Sequence, residues 1–189
     1  MGFGQAFFQV LDAARADAPW AYATMYEELA PSVCGYFRLQ GAREPEDLVS
    51  ETFLGVFRNL DSFTGSEAQF RSWLFTIAHR RLTDERRRWG RRPHMTGNQL
   101  TGDHDGLPPD RPGGSVEDDA LRRMSGDRVR SLVETLAPDQ RDVLLLRIVS
   151  DLTVDSVAEV LGKSPGAVKA LQRRGLDSLR EKVEPGVPL

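Results

Sequence analysis

Residues 153–176 read TVDSVAEVLGKSPGAVKALQRRGL. The spacing predicts two short helices joined by a tight turn. Thr153 is a good N-cap, and Asp155 puts a negative charge in the first turn, where the helix dipole favours it. Val154, Val157, Ala158 and Leu161 then recur on one helical face. Gly162 is the expected stop, because glycine takes the left-handed conformation without a steric cost. Ser164 can cap a second helix, with Pro165 at its first position, where a missing N–H does no harm. Val168 and Leu171 face back toward the first helix.

Ala158, Gly162 and Val168 supply a small residue at a helix contact, a turn glycine and a branched residue returning to the core. That is the pattern of a helix-turn-helix, whose second helix enters the DNA major groove. An ordinary helical hairpin would share the apolar spacing. Charge separates the two readings. From Leu161 to Lys182 there are six basic residues, Lys163, Lys169, Arg173, Arg174, Arg180 and Lys182, against two acidic ones, Asp177 and Glu181.

The whole chain has 189 residues and a net charge of −3, which looks wrong for a DNA binder. The sum hides segregation. Residues 1–70 carry 4 basic and 10 acidic side chains, and residues 71–92 carry 8 and 2. Residues 93–120 carry 1 and 6, and residues 121–189 carry 12 and 10. Phosphate responds to the local patch rather than the total, so two basic patches point to two places where nucleic acid is held.

Other classes lack support. No apolar run approaches the ~20 residues that span a bilayer. The N-terminus carries Asp12 and Asp17 and no basic leader, so it reads as a short amphipathic helix rather than a secretory signal. Cys34 is the single cysteine, so no intrachain disulfide or cysteine-based zinc site is expected, and it reads as a small core residue. His79, His94 and His104 match no metal-ligand spacing. No phosphate-cradling glycine loop and no nucleophile–histidine pair is visible. We therefore expect a cytoplasmic protein with no catalytic residues, no metal, no cofactor, no membrane insertion and no small-molecule substrate.

Along the chain, residues 18–40 read as two helices divided at Pro31, with Trp20, Met25, Tyr26 and Leu29 on the apolar face of the first. Pro45 opens another, whose stripe is Val49, Phe53, Val56, Phe57 and Leu60. Its other face is acidic. Ser66 and Gln69 form a capping box before a long helix from about Glu67 to Trp89. Arg71, Arg80, Arg86, Arg87 and Arg88 lie on its outer face and C-terminal end, more than helix capping requires. Trp73, Phe75 and Trp89 could add stacking surface for bases, although Trp73 taken alone suits a core position. Residues 93–120 are polar, acidic and rich in proline and glycine, as a flexible linker is. Ser115–Asp118 can start the next helix. Val129, Leu132, Val133 and Leu136 continue it, and Ala137–Pro138 breaks it. Val143, Leu144, Leu146 and Ile148 mark the helix before the opening motif. The fold expected is all-α: a domain at 1–92, a linker at 93–120 and a helix-turn-helix domain at 121–189.

Two blocks, EDLVSETFLGVFRNLDSF (46–63) with FRSWLFTIAHRRLTDERRR (70–88), and LAPDQRDVLLLRIVSDLTVDSVAEVLGKSPGAVKALQRRGLDSLR (136–180), resemble the extracytoplasmic-function (ECF) sigma factors of bacterial RNA polymerase. The first is similar to domain σ2 and the second to σ4. The resemblance implies a promoter-specificity subunit that binds core RNA polymerase and promoter DNA. Asp47, Leu48, Glu51 and Thr52 correspond to the surface that docks on the polymerase. Trp73, Ile77, Arg80, Arg81, Arg87 and Arg88 correspond to the element that recognises and opens the −10 sequence. Ser164, Gly166, Lys169, Arg173 and Arg174 correspond to the −35 reader. The linker would pass near the RNA exit path, and an anti-sigma factor is the implied inhibitor. Two positions depart from the commoner pattern. Ala170 stands where many relatives carry a polar residue, and Gly175 where alanine is usual. The competing reading is a stand-alone helix-turn-helix regulator binding operators as a dimer.

Overall fold

A computed structural model describes residues 3–90 and 126–183, all of whose regular elements are helical. The helices are α1 (Phe7–Arg15), α2 (Pro19–Leu39), α3 (Pro45–Arg58), α4 (Glu67–Gly90), α5 (126–134), α6 (Pro138–Ile148), α7 (Val154–Leu161) and α8 (Pro165–Lys182). The whole acidic 93–120 segment, with His94, His104 and Ser115–Asp118, lies outside the described residues, as do Arg91 and Arg92 just before it.

Helices α1–α4 form one bundle. Phe7, Leu11, Met25, Leu29, Phe37, Val56, Phe70, Leu74 and Leu82 are buried in it. The capping box before α4 forms as expected: Ser66 N–H donates to Gln69 Oε1 at 2.8 Å, and Gln69 N–H to Ser66 Oγ at 3.4 Å. The N-terminus is tied to the same helix start, since the Phe3 and Gly4 N–H groups donate to the Glu67 carboxylate at 2.8 and 2.9 Å.

One expectation is corrected. Residues 19–39 form a single helix with Pro31 inside it. An interior proline costs ~3 kcal/mol. Met25, Leu29, Val33 and Phe37 are all essentially inaccessible to water, and each such burial stabilises by roughly 1.5–3 kcal/mol. A break at Pro31 would split that stripe, so packing overrides the local preference. Trp20 is also not part of the apolar face; it is 53% exposed.

Helices α5–α8 make a smaller unit in which α6 and α7 both pack on α8. Gly175 lies inside α8. A Cβ there would sit 2.8 Å from Leu144 Cδ1 and 3.3 Å from Gln140 Cβ. The alanine usual at this position would crowd α6, so close helix approach explains the glycine.

The two units touch. α7 packs on α4 and α6 on α2, and their buried residues merge into one cluster. Gln40, 3% exposed at the end of α2, donates from Nε2 to Asp142 Oδ1 of α6 at 2.6 Å. Arg86 Nη2 of α4 donates to Gln40 O at 2.9 Å and Gln40 Oε1 at 2.8 Å. Beside them Tyr36 OH and His79 Nδ1 are hydrogen-bonded at 2.9 Å. Burial pushes the Tyr36 phenol well above its ordinary pKa.

Burial is also the main cause that lowers the His79 pKa, reinforced by Arg86 and opposed by Asp142. Between the unfolded value of 6.5 and the lower folded value, the unfolded chain binds a proton that the folded chain does not. This group's contribution is therefore complete above pH 6.5 and is lost as pH falls toward the folded pKa. Thermal melts from pH 7.5 to 5.5 are expected to show a falling midpoint. His79→Gln should flatten that fall; an unchanged slope would remove His79 as its cause.

Candidate nucleic-acid interface

The helix-turn-helix geometry follows its sequence closely. Thr153 Oγ1 accepts from Ser156 N–H at 3.1 Å, opening α7. Gly162 closes it in the left-handed region at φ 62°, and Lys163 N–H returns to Ala158 O at 2.9 Å. Ser164 Oγ accepts from Ala167 N–H at 3.2 Å and starts α8. Val157, Ala158 and Val168 are buried between the helices, which fixes α8 with Gly166, Lys169 and Arg173 on one open face.

The cations after Leu161 divide into two sets. Lys163 pairs with Asp139 at 3.0 Å, Arg180 with Asp177 at 3.4 Å, and Lys182 Nζ donates to Thr135 O at 3.3 Å. Lys169, Arg173 and Arg174 are exposed and pair with no described residue. Those three can meet phosphates or base edges with no internal bond to break. Ser164 is exposed too, but its oxygen already serves the cap.

On α4, Trp73, Ile77, Arg80, Arg81, Arg87 and Arg88 form a broad stripe along one side, with Arg80 and Arg87 at one edge and Arg81 and Arg88 at the other. Trp73 is half-buried, stacked on Phe63 at 5.3 Å and edge-on to Phe70 at 5.7 Å. One face of its ring is therefore taken. Phe75 is fully buried against Tyr36, so it offers no surface to a base; helical spacing alone did not distinguish it. Trp89 lies under the Arg43 guanidinium, 4.2 Å from its ring centre. Arg81 pairs with Glu51 at 3.7 Å and Arg87 with Asp84 at 3.9 Å. Both pairs are well exposed, worth about 0–1 kcal/mol, and exchange readily for phosphate. Arg86 faces the other way, held by Gln40. Arg80 and Arg88 pair with no described residue.

The acidic helix α3 splits its four candidate residues. Asp47 is exposed and Glu51 partly so, one turn apart. Leu48 and Thr52 are buried, and Thr52 Oγ1 donates to Leu48 O at 2.6 Å. Leu48 and Thr52 thus shape this face from beneath, and only Leu48 reaches the adjacent cleft. That cleft of about 320 Å³ is lined by Glu44, Asp47, Leu48, Glu51, Glu85, Arg88 and Trp89. The acidic turn and the arginine stripe are therefore neighbours rather than separate surfaces.

Cys34 is half-buried, 4.0 Å from Glu46 Oε1. Burial first, and Glu46 in addition, raise its thiol pKa against the lowering effect of Arg38. A raised pKa keeps it a thiol and a poor nucleophile. Among the described residues no helix is long and apolar enough to cross a membrane.

Residues 25–92 match the family model Sigma-70 region 2, and residues 126–179 match Sigma-70, region 4. The chain is 31% identical over 173 residues to the ECF RNA polymerase sigma factor BldN of Streptomyces coelicolor, covering 90% of this chain and 63% of BldN. It is 31% identical over 141 residues to the ECF RNA polymerase sigma factor ShbA of Streptomyces griseus subsp. griseus, covering 74% of this chain and 71% of ShbA. Among solved structures it is similar in fold to CnrH, crystallised with the cytosolic domain of CnrY, with a TM-score of 0.65 at 20% identity over 94% of this chain and 97% of that one.

Proposed function

The chain belongs to the extracytoplasmic-function sigma factors of RNA polymerase, and from that membership we propose how it divides the work of promoter-specific initiation. Residues 1–92 bind core polymerase and engage the −10 element; residues 121–189 read the −35 element. Asp47 and Glu51 meet the polymerase, with Leu48 and Thr52 supporting their turn. Arg80, Arg81, Arg87 and Arg88 neutralise phosphates while Trp73 and Ile77 border the opened bases. In α8, Lys169 and Arg173 reach base edges from the major groove, Arg174 contacts phosphate, and Ser164 and Gly166 let the helix start approach the backbone closely.

The protein supplies no catalytic group; the polymerase does the chemistry in the cytoplasm. An anti-sigma factor is the inhibitor this function calls for, as the sigma factor RpoE of Bartonella quintana is crystallised in complex with the anti-sigma factor NepR. A dimeric operator binder would leave the acidic turn and the arginine stripe without a task.

The observation that carries this function is the set of three exposed α8 cations that pair with no described residue, Lys169 and Arg173 on the open face and Arg174 further around the helix, in a chain whose α4 bears a second arginine stripe beside an acidic turn. Run-off transcription with purified core polymerase is the test, using promoters selected from randomised DNA by the reconstituted holoenzyme. A discrete transcript that needs the added chain is expected. No transcript, together with no binding to core, would overturn the proposal.

A further inference from the structure

Two rings hold Trp73, and α1 holds both of them. Phe63 stacks on Trp73 with centres 5.3 Å apart and planes 21° apart, and Phe70 stands edge-on at 5.7 Å. Phe70 in turn packs against Phe7 of α1 at 5.7 Å, and Phe7 against Phe3 at 6.0 Å. Phe63 is fixed through its backbone. Arg15, the last residue of α1, donates from Nη2 to Phe63 O. No other described hydrogen bond reaches that carbonyl.

Phe63 lies in a sparsely bonded connection between α3 and α4. It follows the turn Leu60–Ser62, on which α1 packs, and its N–H returns to Leu60 O at 3.1 Å. The next tie along the chain is the Ser66–Gln69 capping box. Between them Thr64 is exposed, and Gly65 sits at φ 148°, where glycine alone moves freely. A guanidinium bonded to a carbonyl is a charge-assisted anchor, stronger than a neutral one. Asp12 pairs with the same guanidinium at 3.4 Å. Without Arg15 the Phe63 carbonyl is left to water, and the peptide that carries the ring is free to turn. Arg15 also lies ahead of residue 25, where the match to Sigma-70 region 2 begins.

We propose that Arg15 is a positioning residue for capture of the opened −10 bases: by anchoring Phe63 it presents the uncovered face of Trp73 at a set angle. This deepens the promoter-reading function and rests on it. Arg15 touches no DNA in this role. It acts through Phe63 on the ring against which a base stacks. A ring already held needs no ordering when the base arrives, so the stacking shows fully in affinity.

The test uses holoenzyme reconstituted from core polymerase and the full chain, with a fluorescent single strand carrying the −10 element of a selected promoter. Trp73→Ala should weaken capture of that strand roughly tenfold, as the loss of one stacked base does. Arg15→Met removes the donor and keeps an unbranched side chain; it should weaken capture roughly fivefold, with core binding and −35 duplex binding unchanged. In the Trp73→Ala background, Arg15→Met should cause no further loss, because its effect runs through that ring. Arg15→Lys should recover most of the affinity, since a single carbonyl needs one donor. Normal capture by folded Arg15→Met would overturn the proposal. So would an additive loss in the double variant, or Arg15→Lys as weak as Arg15→Met. A parallel fall in core binding would overturn it too, by marking Arg15 as a plain stabiliser of the bundle. Failure of the promoter-reading function looks different: Trp73→Ala then captures the strand normally, and the role of Arg15 falls with it.

Discussion

Replacing Lys169 and Arg173 together by alanine is expected to cut −35-dependent transcription by roughly thirtyfold or more, with core polymerase binding unchanged. Each side chain is proposed to hold a base edge or phosphate worth roughly 1–3 kcal/mol. Neither pairs with a described residue, and both are exposed, so the melting temperature should barely move. A second readout sharpens the test. Removing two cations from the DNA contact should lower the slope of log affinity against log salt by about 2. Loss of core binding in parallel would mean misfolding or a wrong placement of the reader. The contrast with Lys163 is useful. Lys163 sits six residues away but pairs with Asp139, so Lys163→Ala should cost far less transcription.

The features legible in sequence are those set by neighbours along the chain. Thr153, Gly162, Ser164 and the Ser66–Gln69 box act within a few residues of themselves, and each forms as its spacing implies. The sequence is less informative where distant packing decides. Pro31 is a local breaker, yet α2 runs through it because its buried stripe continues on both sides. Phe75 and Trp73 both fit an aromatic surface by composition, but only contacts with Tyr36, Phe63 and Phe70 show how much ring is left uncovered. The departure at Gly175 becomes intelligible only with Leu144 and Gln140 in place. Gln40 and Asp142 are 102 residues apart, and nothing in either one's surroundings along the chain announces the bond. The charge count after Leu161 was likewise a guide to the helix, not to the individual residues: half of those cations are already committed to partners.

Charge reversal on the acidic turn should have an effect as large, in the opposite compartment of function. Asp47→Lys with Glu51→Lys is expected to weaken core polymerase binding by roughly a hundredfold or more, since opposed charges across an interface become like charges at a cost of several kcal/mol. Transcription should then fall at every promoter, whatever its −35 sequence. Folding should survive. Asp47 is exposed, and the Glu51–Arg81 pair is exposed enough to contribute about 0–1 kcal/mol. The neighbouring candidates give the control. Leu48 is 4% exposed and Thr52 is inaccessible, with its hydroxyl bonded to Leu48 O. Leu48→Ala should therefore cost about 2–5 kcal/mol of stability, while the folded fraction binds core much as before. Titration of each variant against purified core, beside its thermal melt, separates the two effects. If Leu48→Ala weakened binding with its fold intact while the double reversal bound normally, the docking surface would lie elsewhere. The adjoining cleft bounded by Arg88 and Trp89 would then be the first place to look, because it shares Leu48 with the acidic turn.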